Sequence, residues 1–204
     1  METGLTNILY TKTEQKKLVL LNGIKMIDRR DGIKDMDKLY ESLLVDFNDK
    51  KNFVVASIKQ KYVFYIIDLK ITNINQINDV ISKDINEYKI LFVQLINKKV
   101  YKQIYLMDKN INIFFINEFL EDIPSKVFIP EHKLLTSEQK TDLLEHYNFN
   151  NLAKISVYDT MSRYFNASIG DIIRIKRYNL NSCTSIFYRY VVNDEIDLLL
   201  NKFK

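Results

Sequence analysis

The sequence predicts a two-part fold of the α+β / mixed α/β class. The amino-terminal domain, residues 1–127, has a mixed sheet flanked by helices, and residues 128–204 form a small carboxy-terminal α+β domain. Three observations carry this reading. Between residues 53 and 116, short runs rich in Ile, Val, Phe and Tyr alternate with apolar stripes at helical spacing, the pattern of strands separated by helices. Both prolines of the 204-residue chain, Pro124 and Pro130, fall within residues 121–130 and mark a connection. A composition of 47% hydrophobic and 27% charged residues is that of a folded globular chain, long enough for two compact cores.

Each element follows from its local pattern. Over residues 7–27, Ile8, Leu9, Leu18, Leu20 and Leu21 surround a polar stretch, which predicts an amphipathic helix stopping near Asn22-Gly23. Met36, Leu39, Tyr40, Leu43, Leu44 and Phe47 fall at spacings of three and four and predict a second helix over 36–47. Residues 53–58 and 62–69 are β-branched and aromatic, so they read as a hairpin around the loop 59–61. Ile74, Ile77, Ile81 and Ile85 predict a helix within 71–88 that feeds a buried strand over 90–96. A further helix over 99–109 and a strand over 111–116 complete the first domain.

In the second domain, Thr136-Ser137-Glu138-Gln139 is a capping-box pattern, because hydroxyl and amide reciprocally satisfy orphan backbone donors, and it starts a helix at Thr136. Asp159 caps a short helix holding Met161, Tyr164 and Phe165, which Asn166 ends in the left-handed conformation. Residues 171–178 and 184–192 alternate as strands around an Asn-Ser turn, with Arg174 and Lys176 on one face and Ile173 and Ile175 on the other. Over residues 193–204, Ile196, Leu199, Leu200 and Phe203 form an apolar stripe. Acidic Glu195 and Asp197 lie at its start and Lys202 and Lys204 at its end, predicting a short helical tail.

Little catalytic chemistry is legible. The sequence has two histidines and one cysteine, with no Gly-rich phosphate loop, no nucleophile elbow and no His/Cys ligand spacing. No cofactor, no metal and no catalytic residue is therefore expected. His132 in the connector reads as a structural or interface residue, and His146 sits at a helix end where the dipole suits a cation. Asp68 and Lys70 at a strand end resemble the remnant of a carboxylate–lysine nuclease centre, but no acidic partner stands at suitable spacing for a metal. The lone Cys183 forms no internal disulfide and suits a reducing compartment. The longest apolar run, residues 62–67, is far too short for a bilayer, and the first residues lack the apolar core of a signal peptide, so an intracellular protein with no membrane partner is expected. The net charge of +4 is shared by both halves, which allows nucleic-acid contact without requiring it. The paired bases Arg29-Arg30, Lys50-Lys51 and Lys98-Lys99 either meet phosphates or lie in solvent. With 4 glycines and 2 prolines against 20 asparagines, Asn supplies many turns, and the abundance of Asn, Ile, Lys and Tyr reports an AT-rich genome.

The second domain carries a resemblance. Ile129-Pro130-Glu131-His132, Leu143-Leu144 with Tyr147, Leu152-Ala153-Lys154-Ile155, Asp159-Thr160-Met161-Ser162-Arg163-Tyr164-Phe165, Gly170-Asp171-Ile172-Ile173-Arg174-Ile175 and Tyr188-Arg189-Tyr190-Val191 stand in the order and nearly the spacing of one family. They resemble the fifth subunit of eukaryotic-type DNA-directed RNA polymerases and its small archaeal counterpart. The chain departs from that pattern with Ala153, Thr160 and Tyr178 in place of Pro, Asn166 in place of Gly, Lys154 in place of Arg, and a different loop over 179–182. The first domain resembles the family's amino-terminal jaw in its order of elements. The resemblance implies a non-catalytic subunit whose carboxy-terminal domain docks on the largest subunit and whose jaw, restriction-nuclease-like in fold, lies near downstream DNA. It implies subunit-interface positions among Pro130, His132, Lys154, Asp159, Arg163, Tyr164, Arg174, Lys176, Tyr188 and Arg189, with Arg29 and Arg30 nearest to DNA. The tail over 193–204 extends past the family's usual end and would pack on the second domain or on a neighbouring subunit. The composition suits a large DNA virus or an AT-rich cellular genome, with a location in the nucleus if cellular, or in the host cytoplasm (viral factory) or virion if viral. The competing readings are a metal-dependent nuclease using Asp68 and Lys70, and a free DNA-binding regulator.

Overall fold

The computed structural model describes residues 10–193, save 46, 49, 83–86, 109 and 180–182. The chain divides into two compact units, Met1–Ile123 and Pro124–Lys204.

In the first unit, helix α1 (Lys12–Asp31) opens on a reciprocal capping box: the Thr11 N–H donates to the Glu14 carboxylate at 2.7 Å and the Glu14 N–H to the Thr11 hydroxyl at 3.3 Å. The helix does not stop at Asn22-Gly23, as the sequence suggested. It runs on to Gly32, whose positive φ of 75° ends it. The reason is tertiary. Asn22 is buried and its amide donates to the Phe119 carbonyl at 2.9 Å, while a Cβ at position 23 would lie 2.7 Å from the Phe64 ring and 3.0 Å from that of Phe92. Glycine is therefore a contact residue here and not a terminator. Helix α2 (Met36–Leu44) is capped by Asp35 and is shorter than the apolar spacing indicated; Phe47 lies beyond it, stacked on Phe53 with ring centroids 5.1 Å apart.

The hairpin β1 (Phe53–Ala56) and β2 (Lys61–Ile71) turns through Ser57 and Gln60, whose backbone groups pair at 3.0 Å. The expected helix within 71–88 is a 3-10 turn, Ile74–Ile77, followed by the short α3 (Asn78–Ser82). Asparagine side chains compete for backbone donors there, Asn73 accepting from the Asn75 N–H, and of Ile74, Ile77 and Ile81 only Ile77 is buried, so this stripe does not sustain one helix; Ile85 lies outside the described residues. Strand β3 (Tyr88–Ile96) follows, then α4 (Lys98–Met107), capped by Asn97, and β4 (Ile111–Phe115). The sheet order is β1-β2-β3-β4, with β1 antiparallel to β2 and the other neighbours parallel. Being flanked on both sides, β3 carries five successive buried residues, Lys89 to Val93; the ammonium of Lys89 reaches the Ile81 carbonyl at 2.9 Å. Phe92, Phe114 and Phe119 form a ring cluster with centroids 4.9–6.1 Å apart.

The second unit opens on strand β5 (Glu131–Leu134), and a second short strand, β6 (Ala153–Ser156), follows its first helix. Neither was anticipated, each being four residues long, with three polar residues in β5 and two in β6. That helix, α5 (Ser137–His146), has the expected capping box, Thr136 and Gln139 exchanging bonds at 3.3 Å. Helix α6 (Thr160–Tyr164) is capped by Asp159, which accepts from the Met161 N–H at 2.9 Å, and Asn166 takes a φ of 53° beyond it. Strands β7 (Ile172–Asn179) and β8 (Cys183–Val192) are antiparallel, with β5 antiparallel to β7 and β6 parallel to β8, so the four-stranded sheet has the order β5-β7-β8-β6. The core on one sheet face holds Ile155, Ala167, Ile173, Ile175 and Val191, with Leu134 and Val157 packed on it. Of the helical tail expected over 193–204, residues 194–204 lie outside the described residues, as does the loop over 180–182.

Candidate subunit interface

The period of two sorts the second unit's side chains onto two faces. On the face opposite the Ile173–Ile175 core, strand pairing sets Lys133 beside Arg174 and Arg174 beside Tyr188 in one row, and Glu131, Lys176 and Ile186 in the next; Lys154 is paired with Tyr190 at the other edge. Helix α5 approaches this face, and Lys133, Leu135, Gln139, Asp142, Leu143, Arg174, Ile186 and Tyr188 line a groove of about 230 Å³. Lys176 lies over the ring of Tyr178, 5.4 Å from its centroid.

On the core-bearing face, the rows continue outward from the isoleucines: His132 and Phe187 flank Ile175, and Arg189 pairs with Ile173. Arg177 lies over the Phe187 ring at 5.2 Å. The Nδ1 of His132 stands 2.6 Å from the Pro130 carbonyl, which only accepts, so this nitrogen carries the ring proton. Burial pushes the His132 pKa below the ordinary imidazole value; the Pro130 bond and the Asp159 charge oppose that shift, and Arg189 and Arg177 add to it.

The ten residues implied by the resemblance thus separate. Lys154, Arg174, Lys176 and Tyr188 share one face, whereas His132, Asp159 and Arg189 gather at the other with Pro130 beside them. Tyr164 and Arg163 are buried within the unit, being 1% and 8% exposed. The Arg163 guanidinium is directed inward, its Nε donating to the Tyr158 carbonyl at 3.2 Å, so it fixes the chain around α6. Sequence reasoning missed Arg177 and Phe187, although the alternation that paired Ile173 with Ile175 also places Arg177 beside them. Phe187 is 45% exposed, a large ring that solvent alone does not favour.

In the first unit Arg29 is engaged in a two-pronged ion pair with Asp122, both contacts at 2.6 Å, which leaves it less for a phosphate. Arg30 is half-buried, its carbonyl accepting from Lys59 at 3.4 Å. Asp68 pairs with Lys16 at 3.2 Å and lines a cavity of about 500 Å³ at the carboxyl ends of the parallel strands, with Gln15, Gln94 and Asn117. Asp68 is the one carboxylate among the described lining residues, and Lys70 is not among them, so the nuclease pair does not converge there. Asp142, Glu145 and His146 bring ligand atoms within 4.8 Å of one another on α5, a grouping that the sequence reading missed; all three are exposed.

Comparison with known proteins follows the same division. The family profile of RNA polymerase Rpb5, C-terminal domain, matches residues 121–191. The subunit 5 of the DNA-directed RNA polymerase of Acanthamoeba polyphaga mimivirus is 31% identical over 202 residues, covering 93% of this chain and 98% of the relative. Subunit Rpo5 of Methanothrix thermoacetophila is 42% identical over 67 residues, 32% of this chain and 86% of its own. DNA-directed RNA polymerase V subunit 5A of Arabidopsis thaliana is 26% identical over 148 residues, 69% of this chain and 63% of its own. A match running nearly end to end with one such subunit, together with a profile on the unit that holds the two polar faces, establishes that the chain belongs to the subunit 5 family of multisubunit DNA-directed RNA polymerases.

Proposed function

We propose that this protein is a non-catalytic subunit of a DNA-directed RNA polymerase, in which residues 128–204 assemble onto the largest subunit and residues 1–127 form a jaw near the downstream DNA. The observation that carries the reading is the likeness, over 93% of the chain, to a polymerase subunit of a large DNA virus. The surface chemistry of the second unit supports it. Exposed Phe187 under Arg177, with His132 and Arg189 alongside, has the Arg and aromatic content that fully buried interface cores favour. The restriction-nuclease-like fold of the jaw is what the family resemblance implies, and a mixed sheet with helices packed on it is compatible with that; the jaw is read as a structural element because Asp68 has no carboxylate companion among the described residues of its cavity. The protein works where its polymerase works, in the nucleus of a cell or in a viral factory or virion.

Affinity purification of the full chain from its source, followed by mass spectrometry, tests this. Large polymerase subunits should dominate the co-purifying chains at constant ratio. Their absence would remove the proposal.

A further inference from the structure

We infer that the groove between α5 and the outer sheet face receives an acidic, partly apolar peptide segment of another polymerase subunit; this rests on the subunit reading and names the chemistry of the partner it needs. The groove is lined by two cations, Lys133 and Arg174, set side by side by the pairing of β5 with β7, and by one carboxylate, Asp142, on the helix wall. Neither cation has an acidic side chain within salt-bridge distance among the described residues. Such cations beside a floor of Leu135, Leu143 and Ile186 are costly to desolvate unless the incoming group is an anion that pairs with them. Leu143 is 9% exposed whereas Ile186 is 47% exposed, so the floor is half-covered from within and half open to an apolar side chain from outside.

The size and lining select the occupant. About 230 Å³ is smaller than the roughly 300–1,000 Å³ typical of small-molecule sites, and it suits one or two protein side chains. Nucleic-acid interfaces are more polar and more strongly positive than a lining of two cations, one carboxylate and the apolar Leu135, Leu143 and Ile186. A carboxylate can instead pair with the fork of Arg174 and with Lys133, with an adjacent Leu, Ile or Phe resting on Ile186.

The test uses the full chain in its assembled polymerase. A zero-length carbodiimide joins an amine only to a carboxylate lying against it, so it is applied to the purified complex carrying wild type, Lys133→Arg or Arg174→Glu, with Arg174→Gln as the milder variant. The expected link runs from Lys133 to an Asp or Glu of another subunit, next to an apolar residue in that subunit's sequence. It disappears in Lys133→Arg, and both Arg174 variants reduce retention of the chain about tenfold or more, as truncation of an interfacial charge pair does. A link from Lys133 only to an acid of this chain outside the groove's own lining, such as Asp197, would overturn the inference by making the groove self-occupied. Retention of all variants at the wild-type level without a link would overturn it too, leaving the subunit reading intact. If wild type brings down no polymerase subunit, both fall together.

Discussion

At the scale of single residues, the decisive positions are those where one atom more or less meets a packed neighbour. Gly23 sits in mid-helix, where alanine would ordinarily stabilise by up to about 1 kcal/mol. The added Cβ would fall 2.7 Å from the Phe64 ring, which is fully buried and cannot retreat, and overpacking of that kind costs about 1–3 kcal/mol. Gly23→Ala should therefore be destabilising by about 1 kcal/mol or more, read by urea denaturation. His132 supplies a pH prediction. Its folded pKa lies below the ordinary value of about 6.5, so between the two the unfolded chain binds more protons and stability rises with pH. The contribution of the neutral ring is complete above about pH 6.5 and is lost as pH falls through the folded pKa. His132→Asn should flatten the stability profile between about pH 7 and pH 5 relative to wild type; a parallel profile would show that the ring does not control it.

Elements are held by their ends. Thr136 accepts from the Gln139 N–H and begins α5, the wall of the groove, so Thr136→Ala should lower stability by about 1 kcal/mol and Thr136→Asp should restore most of it, measured by thermal melting. The end of α1 is tied to β2 through Tyr62, whose hydroxyl donates to Asp31 at 2.5 Å. Burial and that carboxylate push the Tyr62 phenol up to about 12. Ultraviolet titration should show one tyrosine ionising about two units above the ordinary value of about 10, absent in Tyr62→Phe. Because the folded pKa is raised, the neutral phenol's contribution is intact below about pH 10 and declines above it.

For the whole molecule, the two units give two expectations. Residues 124–204 hold their own core, caps and four-stranded sheet, so that fragment should fold cooperatively in isolation, with protected β7 and β8 amides on hydrogen exchange. The full chain should not cleave DNA in magnesium or manganese; cleavage abolished by Asp68→Ala would restore the nuclease reading. What the sequence determined by itself was whatever local chemistry decides: the caps at Thr136 and Asp159, the left-handed Asn166, the alternation in β7, the hairpin of β1 and β2, and a family resemblance carried by ordered short motifs. Only tertiary structure decided the rest. Helix α1 passes Gly23 because Phe64 and Phe92 occupy the space a side chain would need, and the stripe of Ile74, Ile77 and Ile81 fails to make one helix because only Ile77 of the three is buried. Arg163 and Tyr164 look like surface residues in a one-dimensional motif but face inward, and Arg29 looks available to DNA until Asp122, 93 residues away, closes on it. The strands β5 and β6 are short and at least half polar, and exist because a neighbour offers unpaired backbone groups. Pairing partners far apart in sequence leave no local signature, since register and burial depend on which segments the fold brings side by side.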